Sequence, residues 1–158
     1  MANKATLLVF NNEFDRAFAA FRIAIAAAHS KMEVMMVFTL WGIDIVKKDG
    51  PLFRGKGFKS RMMNFMNRGG AKRLKLSRMH MGGMGKWMME KMMKDKNIQP
   101  LSQLIADAKK LGVKFLICDV PLEMMGLTKD DLIDEVDNIV NVETYIQHMA
   151  DSQINLFV

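Results

Sequence analysis

One residue in this chain stands out for its chemistry. Cys118, the only cysteine among 158 residues, ends an apolar run in VKFLICDVPLEMMGL and stands directly before Asp119 and close to Pro121. A thiolate there could attack a sulfane sulfur, hold it as a persulfide and pass it on, which needs no second cysteine in the same chain. The plainer alternative is a small packed core residue, because unpaired cysteine is among the most buried residue types. Asp119 opposes a thiolate, since a neighbouring carboxylate raises a thiol's pKa. A single cysteine excludes an internal disulfide, Cys-x-x-Cys redox chemistry and a multi-cysteine zinc site within one chain.

Methionine is the next unusual element. There are 17, and ten lie between Met62 and Met93. Met79, Met81 and Met84, with His80, offer the soft donors of a Cu(I) site. Against this, Met84, Met88 and Met92 fall on one helical stripe and Met89 and Met93 on the adjacent one, which is the pattern of adaptable packing. Packing is the stronger alternative, so no metal is expected. Gly82, Gly83 and Gly85 free the preceding loop to act as a flap, making Met81, Gly82 and Gly83 candidate substrate contacts.

The loop GGAKRLKLSR carries Lys72, Arg73, Lys75 and Arg78. It lacks the G-x-x-x-x-G-K-[ST] phosphate loop and has no interleaved aromatics, so a nucleic-acid surface is not expected. A small sulfur anion such as thiosulfate would suit its charge. His29, His80 and His148 share no ligand spacing. No Ser-His-Asp order or paired-carboxylate pattern is present, and no organic cofactor is implied.

The elements that must position Cys118 follow from pattern. Ala5–Phe10, Glu33–Thr39 and Val113–Cys118 are short apolar runs with the character of buried strands, and 138–142 and 154–158 add two more. A helix follows the first strand, with Asn12 as its expected cap and Phe14, Phe18, Phe21 and Ile25 at helical spacing. This helix is apolar almost all round, so it needs cover on more than one side, which a second subunit could supply. Further helices are expected in WGIDIVKK, in GKWMMEKMMKDK, over 101–111 before Gly112, in LEMMGL, after Thr128 and in VETYIQHMADS. Strands alternating with helices predict a mainly parallel five-stranded α/β sheet covered on both faces. Function in such sheets gathers at the carboxyl ends of strands. Asn11, Asn12, Thr39 and Trp41 arrive there with Cys118 and are candidates for a pocket wall.

The length suits one domain, residues 1–158. Residues 50–85 are surplus to the sheet topology and are expected to form a lid-like insertion of loops and short helices. Charge divides along the chain: residues 46–96 hold 15 Lys and Arg against 3 Asp and Glu, a balance of +12, and the remainder holds 8 against 14. No stretch has the 18 or so uninterrupted apolar residues of a membrane span, so stable membrane insertion is not expected. MANKATLLVF lacks the form of a signal peptide, and a cytoplasmic protein is expected.

Three stretches resemble a known family: VFNNEFDRAFAAFRIAIAAAHSKMEVMMVFTLWGI, MHMGGMGKWMMEKMMK and LIADAKKLGVKFLICDVPLEMMGL. They are similar to the DsrE/DsrF-like sulfur-relay proteins, in particular the larger subgroup labelled peroxiredoxin-like. The resemblance implies a flavodoxin-like domain that forms homo-oligomers, and a cysteine that carries sulfur as a persulfide, at the position of Cys118. The partner would be a small sulfur anion or a persulfide-bearing protein. The expectation is a sulfur carrier or sulfurtransferase. The alternative is a non-catalytic homo-oligomeric subunit whose Met-rich insertion binds a partner protein.

Overall fold

A computed structural model describes residues 3–50 and 55–158. Five strands form one sheet: β1 (Lys4–Val9), β2 (Glu33–Phe38), β3 (Lys114–Cys118), β4 (Asn138–Val140) and β5 (Ile154–Phe157), in the order β4-β3-β2-β1-β5. All four pairings are parallel. Between them lie α1 (Phe14–His29), α2 (Phe58–Met66), α3 (Met84–Asp95), α4 (Leu101–Lys110), α5 (Asp119–Met124) and α6 (Val142–Ala150). This is the parallel α/β sheet that the alternating pattern predicts, in the flavodoxin-like form that the resemblance implies.

The register aligns Leu7 with Met36 and Met36 with Phe115, a fully buried row across the sheet centre. On this face Phe21 of α1 meets Phe115 edge-on, with ring centroids 5.7 Å apart, and Phe38 meets Phe115 at 5.8 Å. Leu101, Leu104, Ile105 and Ala108 of α4 close the same cluster. Parallel strands alternate their side chains, so the intervening residues face the other way. There Leu8, Met35, Val37 and Leu116 form a smaller cluster, joined by Val140 and by Tyr145 of α6.

Two local expectations change. Asn12 does not cap α1; Glu13 takes that position without a side-chain bond, because the Asn12 amide donates instead to Asp44 Oδ2 at 2.9 Å. The helix after Thr128 shrinks to a single turn, Lys129–Asp131. The backbone beyond it bonds elsewhere, with Lys48 donating to the Asp131 carbonyl and Ile133 to that of Val46. The sheet, α4 and Leu74 and Leu76 of the insertion cover part of the apolar girth of α1, while Ala19, Ile23 and Ala26 stay exposed.

The insertion is not a free loop. After β2 the chain runs through a 3₁₀ segment, Leu40–Val46, that buries Asp44 completely. Asp44 pairs with buried Lys47 at 2.5 Å and accepts from Asn12 and Asn67. Lys47 donates to Asn64 Oδ1 at 3.2 Å, and Asn64 and Ser60 both donate to the Met125 carbonyl. A buried ion pair persists only when its remaining hydrogen-bonding positions are filled, as they are here. The network fastens α2 to the end of α5. The expected lid, 50–85, includes residues 51–54, which lie outside the described residues.

Candidate functional site

Cys118 is the last residue of β3 and the first flank of α5. Its backbone is still extended, at φ −71° and ψ 128°, and Asp119 opens the helix. Pro121 sits in the first turn, where a missing N–H breaks no helical bond. Alternation sends Phe115 and Ile117 into the larger core and Leu116 and Cys118 toward the α6 face.

Thr39 reaches the cysteine from the end of β2. It is extended too, at φ −137° and ψ 155°, and its N–H donates to the Val9 carbonyl at 3.0 Å. The chain then turns tightly under β1. Gly42 is required there, since a Cβ would fall 2.1 Å from the Val9 oxygen. Leu40 takes the strain, with φ +48°, in a region that leucine rarely occupies.

The sulfur is covered, with Cys118 only 2% exposed. The cover is shallow, because Val120, two residues on, is 62% exposed. Burial pushes the thiol's pKa up. A hydrogen bond from the Thr39 hydroxyl pulls it down, the Asp119 charge pushes it up, and the Val120 and Asp119 amides pull it down. The thiol itself lies 4.0 Å from Asp119 Oδ1. Burial also raises the Tyr145 phenol, and the Cys118 charge adds to that rise. Tyr145 is therefore a neighbour of the sulfur that sequence reasoning missed; it arrives from α6, and no spacing in the sequence links it to Cys118.

The candidate residues divide by position. Thr39 meets Cys118. Trp41 is exposed beyond it, and Asn11 is half-buried at the end of β1. Asn12 is committed to Asp44. Met81, Gly82 and Gly83 form a separate 3₁₀ turn ahead of α3. The loop holding that turn is fastened to α1, where Asp15 accepts from Ser77 N at 2.9 Å and Ser77 Oγ at 2.5 Å. The groups that set the Cys118 pKa thus come from β2 and α5, and none is a cation of the insertion. The buried Asp44 network also escaped sequence reasoning. Its one signal was a carboxylate inside the apolar run WGIDIV. Among the described residues, no three His, Cys, Asp or Glu side chains gather as a metal site. No described helix is long and apolar enough to cross a membrane.

Known proteins share this architecture. The chain is 34% identical over 155 residues to the protein YrkE of Bacillus subtilis, covering 98% of this chain and 96% of that one. MTH1491 of Methanobacterium thermoautotrophicum superposes with a TM-score of 0.60 at 11% identity, covering 99% of each chain. The ychN protein of E. coli gives 0.58 at 12% identity, covering 98% of this chain and 99% of that one. At those identities the two structures speak for the fold. With the model of the DsrE/DsrF/DrsH-like family matched over residues 1–157, the chain belongs to that family, which is associated with sulfur relay.

Proposed function

We propose that this protein is a sulfur carrier or sulfurtransferase that accepts sulfane sulfur on Cys118 as a persulfide. One observation carries the proposal: the single thiol stands at the carboxyl end of β3, in contact with the Thr39 hydroxyl and the first amides of α5. Those donors offset part of the rise that burial and Asp119 impose on the thiol. With thiosulfate as donor, the proton leaves the thiol past Asp119 to water. The Cys118 sulfur attacks the outer sulfur, a new S–S bond forms, and the old one breaks to release sulfite with its electron pair. An acceptor thiolate then takes the outer sulfur and returns Cys118 as thiolate, so no external oxidant is needed.

Because the sulfur is covered in the single chain, the short α5 must shift locally before a donor can reach it. Thr39 would hold the sulfur and Trp41 would shield it, with Asn11 beside them. The bond of Asn12 to Asp44 and the fastening of the Met81–Gly83 turn favour structural roles for those residues. A second reading draws on the burial of Cys118: a non-catalytic subunit in which the cysteine packs and the Met-rich insertion binds a partner. Intact-mass measurement after exposure to thiosulfate or polysulfide separates the two. A reducible sulfur adduct on the wild type that Cys118→Ser lacks supports transfer; no such difference sinks it and leaves the packing role.

A further inference from the structure

Two helices, α2 in the insertion and α3 at its end, each bury a polar side chain and leave large apolar ones exposed. In α2 Asn64 is buried and Ser60 half-buried, both bonded to the Met125 carbonyl, with half-buried Met63 against the core beside them. Phe58, Met62, Phe65 and Met66 face outward, and Phe58 is 81% and Met66 79% exposed. At 3.6 residues per turn these four share an arc of about 100°, with Lys59 at one edge and Arg61 at the other. In α3 half-buried Met93 likewise packs against the core. The buried long side chain of α3 is Lys86, which donates to the Lys72 carbonyl at 2.5 Å and lies over the Phe14 ring. Met84, Trp87, Met88 and Met92 are exposed, alongside Lys91 and Lys94.

We infer that these two exposed faces dock on an anionic lipid bilayer, lying in the interface rather than crossing it. Exposed apolar surface of this extent on a folded chain marks an interaction site. The outward arc of α2 is flanked by Lys59 and Arg61, which is the form of an interfacial helix, and α3 carries Lys91 within its exposed face and Lys94 beside it. The charge selects the partner. The exposed Lys59, Arg61, Lys91 and Lys94 of these helices attract anionic headgroups and oppose a face-to-face meeting with the same helices of a second copy. Nothing in this inference depends on Cys118.

Flotation with vesicles tests it, using phosphatidylcholine alone and phosphatidylcholine mixed with phosphatidylglycerol. The wild type and Cys118→Ser should float equally with the mixed vesicles and stay behind with the neutral ones, and salt should release them. The triple variant Phe58→Gln, Phe65→Gln, Met66→Gln keeps the inward Ser60 and Asn64, and should lose about tenfold or more of its partitioning. Lys59→Glu with Arg61→Glu leaves the apolar face of α2 intact and should cost roughly fivefold or more for each charge. In a Trp41→Phe background, Trp87 emission should shift to the blue on mixed vesicles only. Equal flotation on both lipids, no flotation, or a triple variant that floats like the wild type would each overturn the inference. So would a triple variant whose only change is a smaller particle by light scattering, because the face of α2 would then be a protein interface.

Discussion

At the residue scale, the chemistry of Cys118 turns on a contest between burial and a few donors. Burial raises the thiol, and Asp119 adds to the rise, so alkylation by iodoacetamide should climb with pH and reach half its limit above the ordinary thiol range of about 8.5. Asp119→Asn removes the repelling charge and should speed alkylation at neutral pH; each unit of pKa it lowers gives about tenfold more thiolate. Thr39→Val removes the donor and should slow it. Identical profiles for all three proteins would show that neither group acts on the sulfur. The same shift links to stability. The folded thiol holds its proton above the pH at which the unfolded thiol loses it, so this contribution is complete below the unfolded pKa. It is lost as pH rises through the folded value. Thermal melts of the wild type should therefore weaken across that alkaline window more than those of Cys118→Ala. The place of Cys118 at a strand end was legible, because the apolar run stops there and Asp119 and Pro121 follow. Its cover was not, because Thr39 and Tyr145 come from elements 79 and 27 residues away in the numbering.

At the element scale, two polar clamps hold the scaffold that carries the sulfur. Asp137, just before β4, accepts from Phe115 N at 2.8 Å and pairs with Lys109 of α4 at 2.5 Å, tying three elements at one carboxylate. Although burial raises it, the Lys109 bond, the Phe115 amide and the nearby lysine charges leave it below the usual carboxylate range. Its stabilisation is present above the unfolded pKa and is lost as pH falls through the lower folded value. Asp137→Asn should cost about 1–3 kcal/mol and remove that acid dependence, as read from urea titrations at neutral and acid pH. The second clamp is the pair of Asp44 and Lys47, both fully buried. Lys47→Ala strands the carboxylate and should cost about 3–5 kcal/mol. Hydrogen exchange should then quicken first in α2, which hangs on that network through Asn64 and Ser60; unchanged exchange there would show that α2 is held by other means. Strands and long helices were readable because periodicity reports them directly. The anchoring of the insertion was not, since its partners are single polar residues spread from Asn12 to Met125 and no local pattern joins them.

At the scale of the whole molecule, the two faces of the sheet are finished unequally. One is closed by α1, α4 and the packed edge of the insertion. The other relies on α6, none of whose residues is fully buried, and whose Val142 and Ile146 are exposed. Phe157 on the edge strand β5 and Leu40, Trp41 and Val120 at the carboxyl end are exposed as well. A surface this apolar on the cysteine side of the sheet is what a homo-oligomer would bury. The expectation from this geometry is a particle larger than one chain by light scattering at micromolar concentration. Trp41→Ser with Val120→Ser and Ile146→Ser should reduce it toward the monomer, while the glutamine variants of α2 should leave it unchanged. Assembly would also deepen the cover over Cys118, so the triple serine variant should be alkylated several-fold faster than the wild type at matched pH. A wild type that remains monomeric at high concentration rules out this use of the surface. An oligomer whose dissociation leaves the alkylation rate unchanged would place the interface away from the sulfur, and the α6 face would then need another occupant.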